Sequence, residues 1–361
     1  MAEVDQFLRF MIKAGASDFH LSSEVRPVFR IDGTMVGATD DSDPFSPDQI
    51  RAMMLEIMPE RNQREFDDCC DSDFAYELNG IGRFRVNAFM DRNGMGAVFR
   101  HIPSKLMTFE ELGLPPVLYK LCRLNKGLVL VTGPTGSGKS TTLAAMLDYI
   151  NTHREAHVIT IEDPIEFVHE NRKCLINQRE VHRHTDGFKK ALRAALREDP
   201  DIVLVGEMRD LETTEMAIET AETGHLVFAT LHTSTASSTV DRVIDQFPAE
   251  RQDQIRTMLS ISLKGVVCQA LLKKKDGGGR VAALEIMVGT AGIANNIRDG
   301  KTYQIPTLIQ TGASFGMQTL NGHLLKLVEA GVVEPQEAYH NSVDKIDIST
   351  KLRAAGFEVG G

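Results

Sequence analysis

The chain of 361 residues lacks several features that would place it in a specialised class of protein. It has no tryptophan, and no apolar run approaches the roughly 18 residues that a membrane-spanning helix needs. The opening "MAEVDQF" has neither the basic nor the apolar region of a signal peptide, so we expect none. The formal net charge of −10 offers no overall attraction for nucleic acid, and we expect no nucleic-acid partner.

Cysteine is also scarce. The five cysteines are Cys69, Cys70, Cys122, Cys174 and Cys268. Their number is odd and no C-x-x-C pair occurs, so neither a disulfide framework nor a zinc knuckle is indicated. We therefore expect a reduced, cytosolic protein.

The length indicates about two domains. Residues 1–101 predict a small α+β domain with an antiparallel sheet, because two hairpin signals occur in it, Asp32-Gly33 and Asn93-Gly94. Its first helix is predicted from the helical spacing of Val4, Leu8 and Met11 and ends at Gly15, and a second begins after Ser46, an N-cap, with Pro47 at the first helical position.

Residues 102–116, "IPSKLMTFEELGLPP", have prolines near both ends and predict an interdomain linker. Residues 117–361 then alternate short apolar runs with helical stretches: "GLVLVTG", "HVITIED", "DIVLVGE" and "HLVFATLH". This alternation predicts a mainly parallel α/β sheet. From about residue 289 the strand pattern ends and the sequence predicts helices, while "KKKDGGGR" predicts a solvated turn.

The strongest motif is "GPTGSGKST", which follows a buried strand and opens a helix. It comprises Gly133, Pro134, Thr135, Gly136, Ser137, Gly138, Lys139, Ser140 and Thr141. In a phosphate loop of this type the glycines let backbone N–H groups turn toward phosphate at a helix N-terminus. Lys139 is expected to contact the β- and γ-phosphates, and the Ser140 hydroxyl to bind Mg²⁺. The sequence therefore predicts that the protein binds ATP with Mg²⁺.

Carboxylates follow two of the other predicted strands. Glu207 ends "DIVLVGE" and is expected near the magnesium ion or its water shell, although a salt-bridged structural role is the alternative. Glu162, Asp163 and Glu166 follow "HVITI", and any of the three could orient and deprotonate the attacking water. Their spacing alone does not choose among them.

Two histidines bound the fourth apolar run, "HLVFATLH". His225 begins it and His232 ends it. A histidine at the carboxyl end of such a strand could sense the γ-phosphate, and a hydrogen-bonded structural histidine is the alternative.

The predicted second hairpin of the small domain places arginines together. With Asn93-Gly94 as its turn, Asn87 faces Arg100 across the ladder. Side chains alternate between faces along a strand, so Arg83, Arg85, Asn87 and Arg100 share one face with no carboxylate among them. The face is either simply solvated or a clamp that the small domain closes over a triphosphate, because arginine suits phosphate recognition.

Four stretches in order give a resemblance to a known family: "GPTGSGKST", "TIEDPIEFVH", "LREDPDIVLVGEMRD" and "TGHLVFATLHT". Together they resemble the secretion ATPase superfamily that powers type II and type IV secretion and type IV pili. "GASDFHLS", "NQREVH" and "QTGASFGMQTL" make the chain most similar to its PilT-type retraction ATPases. The resemblance runs nearly from end to end.

The resemblance implies a RecA-like P-loop ATPase domain preceded by a PAS-like domain. It implies that Glu166 activates water, that Glu207 handles magnesium, that His225 and His232 are the His-box residues, and that arginines of the small domain reach the nucleotide. It also implies a homo-hexamer at the cytoplasmic face of the inner membrane. The implied partners there are a pilus platform protein and a paralogous pilus ATPase.

Two comparisons refine this interpretation. Assembly-type relatives often carry a tetracysteine zinc insertion, which is absent here, so an assembly or secretion motor is disfavoured. Retraction motors carry an A-I-R-N-L-I-R-E motif, and this chain has "GIANNIRD" from Gly292 to Asp299, with Ala294 and Asn296 as the main departures. An accessory retraction paralogue is therefore an alternative to a motor that retracts pili alone. A nucleic-acid translocase and a non-hydrolysing regulatory subunit are further alternatives, disfavoured respectively by the acidic charge and by the two glutamates.

Overall fold

A computed structural model describes residues 2–31, 33–37, 43–102 and 106–358. The chain divides into two compact units, residues 1–105 and 106–361. Each unit has its own buried core, so each is described by itself. Among the described residues, no helix combines the length and the apolar character that crossing a membrane requires.

Over its described residues, the first unit is a six-stranded antiparallel sheet with three helices. Its elements are α1 (Asp5–Lys13), β1 (Asp18–Ser22), β2 (Val28–Ile31), β3 (Thr34–Gly37), α2 (Pro47–Ile57), α3 (Glu60–Cys69), β4 (Asp71–Leu78), β5 (Gly82–Asp91) and β6 (Gly94–Ile102). The strand order is β3-β2-β1-β6-β5-β4. A row of stacked rings lies in its core, because Phe19 stacks on Phe29 at 4.9 Å and on Phe99 at 5.4 Å between ring centroids.

The helix starts of this unit follow from local sequence. The Ser46 side chain accepts a hydrogen bond from the backbone N–H of Gln49, and the Gln49 side chain accepts one from the backbone N–H of Ser46, which is a complete capping box. Val4, Leu8 and Met11 are fully buried at helical spacing, so α1 covers the sheet with one face. The predicted helices are confirmed.

The second predicted hairpin exists, but its predicted turn is wrong by one residue. Asp91 pairs with Gly94, so Arg92 and Asn93 form the turn. The Asp91 carboxylate accepts hydrogen bonds from the backbone N–H groups of Asn93 at 2.7 Å and Gly94 at 3.2 Å, and this local capping fixes the turn. In the first hairpin Ile31 pairs with Thr34, and Asp32 lies outside the described residues.

The second unit is a seven-stranded sheet with twelve α-helices among its described residues. Its first half comprises α4 (Phe109–Leu112), α5 (Val117–Cys122), β7 (Gly127–Thr132), α6 (Lys139–His153), β8 (His157–Glu162), β9 (Leu175–Glu180), α7 (Phe188–Ala195) and β10 (Ile202–Val205). Its second half comprises α8 (Leu211–Glu222), β11 (Leu226–Leu231), α9 (Ala236–Asp245), α10 (Ala249–Ser262), β12 (Leu263–Lys273), β13 (Arg280–Val288), α11 (Ala291–Arg298), α12 (Ile305–Thr311), α13 (Leu320–Glu329), α14 (Pro335–Asn341) and α15 (Lys345–Ala354).

The strand order of this sheet is β13-β12-β7-β11-β10-β8-β9. All neighbouring strands are parallel except β12 and β13, which form an antiparallel hairpin. Helices cover both faces, so β7, β10 and β11 are buried along their whole length. The predicted α/β class and the helical end of the chain are confirmed.

Some assignments from sequence differ from the structure. The sequence did not predict β9, β12 or β13, and "KKKDGGGR" is the turn of the β12–β13 hairpin. Part of the predicted linker belongs to the second unit, because Phe109 and Leu114 are buried in its core beside α5.

Candidate functional site

The carboxyl ends of four parallel strands meet at one edge of the second sheet. β7 leads into the phosphate loop, β10 into Glu207, β11 into His232, and β8 ends at Glu162. The registers align these ends, since Thr132 pairs with Leu231 and Val205 pairs with Ile161. Residues far apart in sequence are thus brought to one place, which is where open α/β sheets bind ligands.

The phosphate loop has the backbone conformation that its glycines permit. Gly136 and Gly138 have φ of +78° and +86°, and α6 begins at the next residue, Lys139. A Cβ added at Gly133, where φ is +142°, would lie 2.3 Å from the backbone oxygen of Gln269. The loop therefore needs these glycines for both conformation and space.

Lys139 connects the loop to a chain of polar groups. Its Nζ donates to the carbonyl oxygens of Gly133 at 2.9 Å and Pro134 at 3.2 Å, and it lies 3.4 Å from His232 Nδ1. Burial lowers the pKa of Lys139, while the charges of Glu207 and Glu166 oppose that shift. The ammonium group thus contacts the loop directly and interacts electrostatically with two carboxylates, Glu207 and Glu166.

Glu207 is half-buried and held from both sides. His232 Nε2 lies 2.8 Å from its Oε1, and Arg209 donates to its Oε2 at 2.8 Å. Burial alone would raise the pKa of Glu207, but Arg209 and His232 hold it below its ordinary value. A fixed, ionised carboxylate therefore lies beside His232 and Lys139, and Mg²⁺ prefers oxygen groups of this kind.

The carboxylates at the end of β8 and just beyond it lie in different environments. Glu162 accepts hydrogen bonds from Thr160 at 2.6 Å and Gln178 at 3.2 Å, and burial raises its pKa to about 7. Asp163 is exposed and interacts electrostatically with Arg209. Glu166 is exposed, and its charge acts on Lys139.

The backbone around Glu166 is held in place by β9. Gln178 donates to the carbonyl oxygen of Phe167 at 2.8 Å and accepts from the His169 N–H at 2.8 Å. Ile165 and Phe167 are both buried, so the residue between them is directed outward. An anchored segment that presents one accessible carboxylate near Lys139 suits a general base.

His225 does not lie at this edge. It precedes β11, and its Nδ1 is 3.1 Å from the Thr220 carbonyl oxygen. At about 3.3 Å per residue the strand carries the chain about 20 Å before His232 follows it. Of these two histidines, the structure brings His232 and not His225 to Lys139 and Glu207 within one chain.

The arginines of the first unit share a face, as predicted, despite the shifted register. Arg85 pairs with Arg100 across β5 and β6, where Asn87 was expected, because the turn moved by one residue. The expectation that this face lacks carboxylates is wrong, since neighbouring strands supply them. Arg100 donates to the buried Asp18 at 2.8 Å, and Arg85 lies 3.7 Å from Asp73.

Three residues of the site were missed from the sequence. Arg209 holds Glu207, Gln178 holds the segment around Glu166, and Gln269 contacts the phosphate loop. Arg209 lies two residues beyond Glu207, so its proximity was a usable signal. Gln178 and Gln269 lie on strands that the sequence pattern did not reveal, so nothing local pointed to them.

The residues present fit a nucleotide with magnesium. Gly133 and Gly138 leave space that a Cβ would fill, and the Ser140 hydroxyl and the Glu207 carboxylate are oxygen groups that would suit a magnesium ion. In the described part of the chain no cluster of three or more histidine, cysteine or acidic side chains could hold a metal alone. Magnesium in nucleotide sites typically takes one or two protein ligands together with phosphate oxygens and water.

Comparisons with known proteins agree with this geometry. The family model described as "Type II/IV secretion system protein" matches residues 2–356. The chain is 55% identical over 336 residues to the type IV pilus retractation ATPase PilT of Pseudomonas aeruginosa, covering 93% of this chain and 97% of that protein. It is 39% identical to the type IV pilus ATPase PilU of the same organism, over 97% of this chain and 91% of that protein.

A solved structure has the same fold. The crystal structure of the pilus retraction motor PilT with bound ADP superposes with a TM-score of 0.89 at 43% identity, covering 97% of this chain and 99% of that one. The match confirms the predicted RecA-like ATPase with its smaller N-terminal domain. Because the family model spans nearly the whole chain and a close relative covers it at 55% identity, the chain belongs to the type II/IV secretion system protein family.

Proposed function

We propose that this protein is an ATP-hydrolysing motor that drives retraction of a type IV pilus. The observation that carries the proposal is the assembly of the phosphate loop, Glu207, His232 and Glu166 at one edge of the sheet. A relative named for pilus retraction shares 55% of residues over nearly the whole chain, and the pilus ATPase PilU shares 39%. These identities favour the retraction motor over the accessory paralogue.

In the proposed reaction the protein positions ATP and stabilises charge. Lys139 and the N–H groups of the loop hold the phosphates, and Ser140 and Glu207 hold magnesium, which supplies charge neutralisation when bound. Arg209 and His232 fix the Glu207 carboxylate. Glu166 takes a proton from the attacking water, and His232 lies where it can respond to the γ-phosphate.

The arginines of the first unit have a proposed role in closure. Arg83, Arg85 and Arg100 are proposed to approach the nucleotide when the units close, and to stabilise charge on the transferring phosphoryl group. Arg100 is ion-paired with the buried Asp18, so to approach the nucleotide it would have to leave that carboxylate or share it. Closure in successive subunits of a proposed homo-hexamer would convert hydrolysis into rigid-body motion. The proposed partner for that motion is a platform protein at the cytoplasmic face of the inner membrane.

The experiment that tests the function is a clean deletion in the source organism, complemented with the wild-type gene or with Lys139→Ala. Surface pili and twitching are scored together. We expect abundant pili and lost twitching, restored by the wild-type gene and not by Lys139→Ala. Cells without pili would overturn the direction of the motor, and unchanged cells would leave the accessory paralogue as the better assignment.

A further inference from the structure

Gln269 of β12 connects the phosphate loop to α6, the helix that follows the loop. It follows Cys268, the last residue of β12 that pairs with β7, and only 4% of it is exposed. Its Nε2 donates to the carbonyl oxygen of Ser137 at 2.7 Å, and its Oε1 accepts from the Thr142 hydroxyl at 2.7 Å. One amide thus joins the middle of the loop to the first turn of α6.

The backbone of the loop also packs directly on Gln269. A Cβ at Gly133 would lie 2.3 Å from the Gln269 carbonyl oxygen, and one at Gly138 would lie 2.8 Å from its Nε2. The side chain of Ser137 does not help to hold the loop, because its buried Oγ has no hydrogen-bond partner among the described residues. Gln269 therefore provides a support that the loop does not supply itself.

We propose that Gln269 is a positioning residue for the nucleotide, an inference that rests on the proposed ATPase function. A peptide unit is planar and trans, so its C=O and N–H point in opposite directions. Holding the Ser137 carbonyl toward β12 directs the N–H of Gly138 away from β12. That N–H belongs to the set that a loop of this type offers to phosphate.

The orientation of the Gln269 amide is set by chemistry. The Ser137 carbonyl can only accept, so the amide NH₂ must face it, and the amide oxygen is left to accept from Thr142. Both partners of the amide, Ser137 and Thr142, are buried, and Thr142 is only 2% exposed. Removing the amide leaves buried polar groups without partners, which a loop can relieve only by rotating its peptide units.

The test compares Gln269→Met with a matched control, Gln246→Met. Gln246 also accepts a hydrogen bond from a buried threonine, Thr214, at 2.8 Å, but between α8 and the end of α9. The affinity for ADP is measured by calorimetry, and the melting temperature without nucleotide is measured in parallel. We expect Gln269→Met to weaken ADP binding by about 5- to 100-fold, and Gln246→Met to change it less than about two-fold.

A second pair of variants keeps the inference testable if Gln269→Met does not fold. Thr142→Val removes the donor to the Gln269 Oε1 and is expected to weaken ADP binding several-fold, while Thr142→Ser is expected to restore it. Tight ADP binding by the wild type with unchanged affinity in Gln269→Met and Thr142→Val would overturn the positioning role alone. Absence of ADP binding and ATP hydrolysis in the wild type would instead overturn the proposed function.

Discussion

The Glu162→Gln variant is expected to gain stability relative to the wild type as pH rises. Burial raises the pKa of Glu162 from 4.5 to about 7 in the folded chain. Between these two values the folded state holds a proton that the unfolded state has released, so stability falls as pH increases through this window. Glutamine does not titrate, but its oxygen can still accept from Thr160, which lies 2.6 Å from the carboxylate in the wild type.

The magnitude follows from the two pKa values. A pKa change from 4.5 to about 7, at about 1.4 kcal/mol per pH unit, corresponds to about 3 kcal/mol over the full window. Most of this change in unfolding free energy falls between pH 5 and pH 8. The unfolding free energy of Glu162→Gln relative to wild type should therefore increase by about 2 kcal/mol between these two pH values.

The assay is urea denaturation of the full chain followed by tyrosine fluorescence. The chain has no tryptophan, and Tyr119, Tyr149, Tyr303 and Tyr339 belong to the second unit, so the signal reports mainly on that unit. Glu222→Gln, at an exposed position of α8, controls for the loss of one carboxylate. A stability difference that stays constant with pH, or that decreases as pH rises, would refute the assignment of a buried, largely protonated Glu162 at pH 6.

Three further predictions concern activity. Glu166→Gln should bind ATP normally but release phosphate about 10²- to 10⁴-fold more slowly, and wild-type turnover would remove Glu166 from the role of base. Arg209→Ala should lower kcat by about 3- to 10-fold, because Glu207 keeps only His232 as a partner and Arg209 is largely exposed. Ala294→Arg with Asn296→Leu should change phosphate release less than about two-fold, because both half-buried residues lie on α11, which packs on α10 and α12. A larger change would place that helix in the hydrolysis step.

The central part of the site was predictable because its signals are local. The phosphate loop lies between β7 and α6, and the apolar runs β8, β10 and β11 each end shortly before a residue that reaches the site. Parallel strands then bring those ends together without further information. The arginine face of the first unit was predictable for a similar reason, since alternation along a strand survives a one-residue movement of the turn.

The residues that orient the site were not predictable, because they depend on pairing across long stretches of sequence. Gln269 lies 127 residues from Thr142, and its strand β12 follows α10 without a turn signal. The position of the turn in the second hairpin was predicted wrongly for a different reason. The Asp91 carboxylate captures two backbone N–H groups, which outweighs the usual preference of Asn-Gly for the two central positions.

The carboxylates at the end of β8 and just beyond it show why spacing alone could not choose a base. Glu162, Asp163 and Glu166 have similar intrinsic acidity, and their order in the sequence contains no information on exposure. Burial beside Thr160 and Gln178 makes Glu162 a largely neutral group at pH 6, which is a poor acceptor for a proton. Glu166 is accessible and lies within the electrostatic reach of Lys139, so it is the carboxylate whose environment matches the role of base.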